Sequence, residues 1–146
     1  MTSHQPLFTV LLVEDELADA HLARLAFREG RVLVDLHHVR DGLEALAFLQ
    51  CEAPYPDAPR PDLILLDLNM PRMDGRKFLA RLKTLDGLRR IPVVILTTSD
   101  AESDILASYD LGAAGFIVKP QDVDEFIENV RQLEDYWVSL VHLPAR

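Results

Sequence analysis

Four short apolar runs in the sequence each end in side chains that could bind a metal ion or a phosphoryl group. These side chains are Glu14 with Asp15, Asp67, Thr97 and Lys119. An unpaired carboxylate inside a sheet would be very costly, so Asp67 is expected at the carboxyl end of its strand, where open α/β sheets bind ligands. Asp is also common where a strand simply gives way to a turn. The recurrence of such endings in separate runs favours one shared site.

The residue types in this set suit a magnesium-dependent phosphoryl acceptor. Clustered carboxylates repel one another, and a hard divalent cation such as Mg²⁺ removes that repulsion. A carboxylate beside Mg²⁺, here Asp67, can attack a phosphoryl group and form an aspartyl phosphate. Lys119 would supply a compact positive charge, and Thr97 a hydroxyl donor, for the phosphoryl oxygens. The sequence therefore predicts a Mg²⁺ site with a nucleophilic aspartate.

The elements that would hold these residues together are five strands alternating with five helices. The strands are predicted at residues 7–13, 32–39, 63–66, 91–96 and 115–118. Strands joined by helical crossovers form a parallel sheet, and the carboxyl ends of its strands lie on one edge. The predicted fold is α/β, a doubly wound, flavodoxin-like parallel sheet in the order 2-1-3-4-5. Partial alternation in the second strand places it at the sheet edge.

Capping signals and apolar periodicity predict the positions of the helices. Asp41 with Glu44 and Ser99 with Glu102 form capping boxes that open the second and fourth helices. The predicted inward faces are Ala18, Leu22, Leu25 and Ala26 in the first helix, Phe78, Leu79 and Leu82 in the third (76–85), and Val123, Phe126, Ile127, Val130 and Leu133 in the last. Cys51 lies near the end of the second helix, where a small apolar filler is expected.

Composition and charge exclude several classes of protein. The 146 residues are 49% hydrophobic and 27% charged, which indicates a single folded domain. The formal charge of −9 argues against sequence-independent binding to nucleic acid or to an anionic membrane. The sequence has no secretory signal and no run of about 18 apolar residues, and its single Cys51 fits a reducing compartment. A cytoplasmic location is expected.

From about Leu7 to Leu133 these motifs, in this order, resemble the receiver domains of two-component response regulators. The resemblance implies that Asp67 is the phosphoacceptor for a histidine kinase. It implies that Asp15 is a direct Mg²⁺ ligand, with Glu14 acting through water. The backbone carbonyl of Asn69 would complete the protein's share of the metal shell.

The same resemblance implies a switch on the other side of the site. Thr97 matches the family's switch hydroxyl, and Lys119, followed by Pro120, matches its phosphoryl-binding lysine. Phe116 occupies the position of the switch aromatic, which is often Tyr, and without a hydroxyl it can signal only through rotamer and packing. Thr98 follows Thr97 where many members have a smaller residue, which narrows access to Asp67.

The end of the chain is apolar. Residues 1–136 are predicted as a single receiver domain and 137–146 as a C-terminal extension. Its apolar side chains, expected to form an interface, are Trp137, Leu140, Val141 and Leu143. Such a patch either folds back on its own domain or docks on a second subunit, and a homodimer is favoured because Trp and Tyr are enriched at interfaces. This extension and the proline-rich loop before Asp62 resemble stand-alone regulators paired with bacterial phytochrome kinases.

The predicted function is a single-domain response regulator that changes its partner-binding surface when Asp67 is phosphorylated. On this reading it is not an enzyme beyond its own phosphotransfer and autodephosphorylation. One alternative is an adaptor that works without phosphorylation. Another is a phosphatase with Asp67 as nucleophile, although such enzymes carry a second acid two residues later, where this chain has Asn69.

Overall fold

The part of the chain described by a computed structural model contains five strands and four helices. The described residues are 8–29, 33–68, 70, 73–97, 109–118 and 123–140, without the side chains of 97, 118, 123 and 136–140. The elements are β1 Phe8–Val13, α1 Leu17–Arg28, β2 Val34–Val39, α2 Gly42–Leu49, β3 Leu63–Leu66, α3 Gly75–Leu82, β4 Val93–Thr97, β5 Gly115–Val118 and α4 Val123–Leu140. The additional helix predicted from Ser99 lies outside the described residues until Tyr109.

The strands form one parallel sheet in the order β2-β1-β3-β4-β5, which confirms the predicted fold and places β2 at the edge. Val13 pairs with Val39 on one side and with Leu66 on the other. Leu66 in turn pairs with Ile95 of β4. The strands therefore end at nearly the same level, so the residues that follow them share one edge.

The two faces of the sheet carry separate apolar clusters, because successive side chains of a strand point to opposite faces. On one face Leu11, Ile64 and Ile95 pack under α2 and α3. On the other face Leu12 and Leu65 pack under α1 and α4. A sheet covered on both sides explains why β3 is an unbroken apolar run with all of its residues buried.

The predicted inward face of α3 is confirmed, since Phe78, Leu79 and Leu82 are all 0% exposed. The helix ends at Leu82 and is followed by turns, which is shorter than predicted. The predicted face of α1 is partly wrong. Ala18 is exposed. The buried residues of this helix are Ala20, Ala23, Ala26 and Phe27. Small alanine side chains allow α1 to lie close to the sheet, and this sets its rotation.

Cys51 is exposed, so its prediction as an apolar filler is wrong. It follows α2 in the left-handed conformation, with φ of 54°. Its N–H donates to Phe48 O at 3.2 Å, and Glu52 N–H donates to Ala47 O at 2.9 Å. These two bonds are those of a Schellman motif, in which the left-handed residue closes the helix and faces solvent.

The C-terminal helix α4 has 18 residues, and its Phe126 and Val130 are each 1% exposed. It continues to Leu140, so the predicted extension from 137 begins inside this helix. The side chains of Trp137 and Leu140, and all of Val141 and Leu143, lie outside the described residues. In the described part of the chain, no helix combines the length and apolarity needed to cross a membrane.

Candidate functional site

The candidate site is built by the register of β1 with its two neighbours, β2 and β3. Glu14 is the first residue after β1, and its N–H donates to Val39 O of β2 at 3.0 Å. Asp67 is the first residue after β3, and its N–H donates to Val13 O of β1 at 3.0 Å. The sheet hydrogen bonding thus continues for one residue beyond each strand and fixes the backbone of both acidic residues.

Three carboxylates meet at this edge. One carboxylate oxygen from each of Glu14, Asp15 and Asp67 lies within 4.8 Å of the others. Glu14 is 1% exposed and Asp67 is 6% exposed, while Asp15 is half-buried. Negative charges this close, with little contact with water, repel one another strongly and favour a cation between them.

The donor set fits a hard divalent cation. All three ligand groups offer oxygen atoms, which Mg²⁺ and similar ions prefer. In addition, Asp15 Oδ1 is buried and has no hydrogen-bond partner among the described residues. Buried polar oxygens are normally paired, so this oxygen has the position expected of a metal ligand.

The turn that carries Glu14 and Asp15 is held from two directions. Within the turn, Glu14 Oε2 accepts a hydrogen bond from Glu16 N at 3.2 Å. From β2, the Nε2 atom of His38 lies 2.6 Å from Glu14 O. No role in the site was predicted for His38 from the sequence. Its position one residue before the end of β2 is the only local signal that could have indicated one.

The start of α3 supports the chain around Asp67. The carboxylate of Asp74 caps the helix by accepting a hydrogen bond from Lys77 N at 2.9 Å. Gly75 N–H donates to Leu68 O at 3.0 Å. A Cβ atom on Gly75 would lie only 2.5 Å from Asp67 O, so α3 approaches the backbone of Asp67 as closely as glycine allows. No role in the site was predicted for Asp74 or Gly75 from the sequence.

The model of the response regulator receiver domain family matches residues 10–131. The chain belongs to this family. The predicted resemblance is therefore confirmed, and it extends over the sheet from Val10 onward, the carboxylate cluster and the first half of α4.

Individual receiver proteins resemble this chain over nearly its whole length. Response regulator Rcp1 of Synechocystis sp. is 44% identical over 136 residues, which are 93% of this chain and 92% of Rcp1. The crystal structure of the phosphorylated cyanobacterial phytochrome response regulator RcpA has a TM-score of 0.87 at 44% identity, covering 96% of this chain and 100% of RcpA. The Mn²⁺-bound form of Rcp1 has a TM-score of 0.84 at 43% identity, covering 94% of this chain and 99% of that one. This receiver domain is thus similar to phytochrome response regulators.

Other residues predicted for the receiver site are described in part or not at all. Thr97 is the last residue of β4 and pairs with Val118, which brings the ends of β4 and β5 to the same edge. Its side chain is not described. Asn69 and Lys119 lie outside the described residues. Phe116 is half-buried in β5 and packs against the cluster under α2 and α3.

Proposed function

We propose that this receiver domain is a signalling switch in which Asp67 accepts a phosphoryl group from a histidine kinase in a Mg²⁺-dependent reaction. The observation that carries the proposal is the meeting of three carboxylates within 4.8 Å at the carboxyl edge of the sheet. If these acidic residues only ended their strands, nothing would require the carboxylates of Glu14, Asp15 and Asp67 to lie so close together.

Each of the acidic residues has a distinct part in this proposal. Asp15 and Asp67 would hold the metal directly, with Glu14 acting through water and the carbonyl of Asn69 completing the protein ligands. Bound Mg²⁺ would balance the charge of the carboxylates and of the phosphoryl oxygens. An oxygen of Asp67 attacks phosphorus, the bond from phosphorus to the donor breaks, and an acyl phosphate forms.

The other half of the site rests on the family resemblance. We assign Lys119 to the phosphoryl oxygens as a counter-charge, and Thr97 to a hydrogen bond with one of them. Movement of Thr97 toward the phosphoryl group would leave space for Phe116, which changes rotamer and packing. The chain then acts as a phosphoacceptor whose only chemistry is its own phosphotransfer and autodephosphorylation.

The output would be a change in the surface around β5 and α4. A groove of about 710 Å³ is lined there by Phe116 together with Tyr109, Ile117 and Leu133. Because Phe116 contributes to both this groove and the core beneath it, a change in its rotamer would alter a surface available to partners. The net charge of −9 makes a protein partner a better candidate than nucleic acid.

The relatives suggest which kinase and assembly to test. RcpA is described as a cyanobacterial phytochrome response regulator, so we propose a bacteriophytochrome histidine kinase in the cytoplasm as the phosphoryl donor. We also propose a homodimer formed through Trp137, Leu140, Val141 and Leu143. Truncation before Trp137 should then weaken self-association in sedimentation experiments, and an unchanged oligomeric state would contradict the interface.

The phosphoacceptor is tested by intact mass spectrometry after incubation with acetyl phosphate, with and without Mg²⁺. The wild type should gain one phosphoryl group only with Mg²⁺, and Asp67→Asn should gain none. Asp57→Asn is the matched control, because Asp57 is an exposed loop carboxylate outside the cluster. An adduct retained by Asp67→Asn would refute the assignment, and a folded wild type without any adduct would favour the adaptor alternative.

A further inference from the structure

The residues between β1 and α1, Glu14 to Glu16, form what we call the acidic turn. His38 approaches this turn from β2. In the sheet register His38 pairs with Leu12 of β1. Its ring reaches along β1 toward the carboxyl end of the strand and contacts Glu14 O, two residues after Leu12. The side chain lies on the same face as Val34 and Leu36, the face covered by α1.

The 2.6 Å separation fixes the chemistry of this contact. A carbonyl oxygen can only accept a hydrogen bond, so Nε2 of His38 must carry the proton and donate it. In the neutral ring, Nδ1 is then the unprotonated nitrogen. The short distance marks a well-formed bond rather than a chance approach.

The acidic turn has reasons to need such an anchor. Glu16 is the N-cap residue of α1, yet its side chain makes no capping hydrogen bond. The start of the helix is therefore not fastened in the usual way. Glu14 and Asp15 also face Asp67 across a short distance, and their mutual repulsion acts to push the turn away from the sheet.

We propose that His38 is a positioning residue, which holds the acidic turn in the geometry that binds the metal ion. This inference rests on the proposed function, because it concerns the same Mg²⁺ site. The Nε2–H bond fixes the peptide between Glu14 and Asp15, and so limits the positions that the Asp15 carboxylate can take. A site held in place before the cation arrives binds it more tightly, since less order has to be created on binding.

The test measures Mg²⁺ binding by calorimetry, without any phosphoryl donor. His38→Phe keeps a ring but removes the donor, and we expect Mg²⁺ binding to weaken on the order of fivefold, the scale of one net hydrogen bond. His38→Gln places an amide N–H at nearly the same reach and should restore most of the affinity. His37→Gln is the matched control, because His37 lies on the opposite face of β2, where it contacts Asp35 and Phe48.

Two metal-free measurements separate this role from general stability. The ¹⁵N spectrum of His38 should show a protonated Nε2 and, in alkaline buffer, an unprotonated Nδ1. Hydrogen exchange at Glu16 N–H should be faster in His38→Phe than in the wild type, while thermal unfolding of His38→Gln and His37→Gln shows whether each variant remains folded. An unprotonated Nε2 would overturn the inference.

The outcomes distinguish this inference from the function on which it rests. If the wild type binds Mg²⁺ and His38→Phe binds it equally tightly, the positioning role is wrong and the proposed function stands. If His38→Gln loses as much affinity as His38→Phe while His37→Gln does not, the donor is not the essential feature and the inference fails. A wild type that binds no Mg²⁺ would remove both.

Discussion

Replacing Gly75 with alanine should displace Asp67, the proposed phosphoacceptor. The added Cβ would lie 2.5 Å from Asp67 O, 2.7 Å from Leu68 Cα and 3.1 Å from the carbonyl carbon of Asp67. Ordinary contact begins at ~3.5 Å, so the start of α3 must retreat by about 1 Å. Because all three neighbouring atoms belong to the backbone, no change of rotamer can relieve the overlap.

Two effects of opposite sign decide the stability of Gly75→Ala. Alanine is the better helix former by about 1 kcal/mol. Overpacking against rigid backbone typically costs about 1–3 kcal/mol, and here it dominates because the overlap is large. A net loss of about 1–2 kcal/mol in a chain of this size should lower the Tm by about 2–8 °C in calorimetry. The rate of phosphorylation by acetyl phosphate should fall at least about tenfold, since displacements of about 1 Å at a reacting group are costly.

Gly87→Ala provides the matched control for this prediction. Gly87 has φ of +82°, and a Cβ there would meet nothing within 4 Å. Its replacement strains the backbone by about 1–2 kcal/mol without moving Asp67. The two variants should thus lose similar stability while only Gly75→Ala loses phosphorylation. If Gly75→Ala is as stable and as reactive as the wild type, the close approach of α3 does not position Asp67 and the reasoning is wrong.

Three further predictions concern helix ends and the half-buried phenol of Tyr55. Asp41→Ala removes the side chain that accepts a hydrogen bond from Glu44 N at the start of α2, and it should lower the unfolding free energy by about 1 kcal/mol in thermal unfolding. Glu16→Ala is the control, because Glu16 caps α1 without a side-chain hydrogen bond and its replacement should cost little. Equal losses in the two variants would contradict this prediction. Cys51→Gly relieves a left-handed residue and should raise the unfolding free energy by about 1 kcal/mol, and a lower value in urea unfolding would contradict it. Burial, and then the charges of Glu44 and Asp41, raise the pKa of Tyr55 above 10.0. The raised pKa of Tyr55 contributes to the stability of the folded state, and this contribution is complete below pH 10.0 and is lost as pH rises through the higher pKa of the folded state. In alkaline unfolding curves, Tyr55→Phe should not show this loss of stability.

The sheet and its site could be predicted because local patterns determine them. The unbroken apolar run of β3 predicts a strand covered on both faces, and spacing alone places Phe78, Leu79 and Leu82 on the inner side of α3. Helical crossovers then imply a parallel sheet, whose geometry brings Asp67 beside Glu14 although they are far apart in sequence.

Other features depend on contacts that sequence periodicity does not record. The rotation of α1 about its axis depends on how closely its alanines approach the sheet. The sequence alone therefore could not show that Ala20, and not Ala18, is buried. Cys51 faces solvent because two backbone hydrogen bonds close α2, not because of its side chain. The bond between His38 and Glu14 spans 24 positions and depends on the register of two strands.

Gly75 N–H donates a hydrogen bond to Leu68 O at 3.0 Å, which places the first residue of α3 beside the residue that follows Asp67. Leu68 and Gly75 are thus joined next to Asp67. Because both bonded atoms belong to the backbone, side-chain substitutions between Leu68 and Gly75 can leave the backbone of Asp67 in place. Under the proposed function, variation at positions 70–73 could then exchange one signalling partner for another while Asn69, proposed for the metal, and Asp74, the cap of α3, are kept.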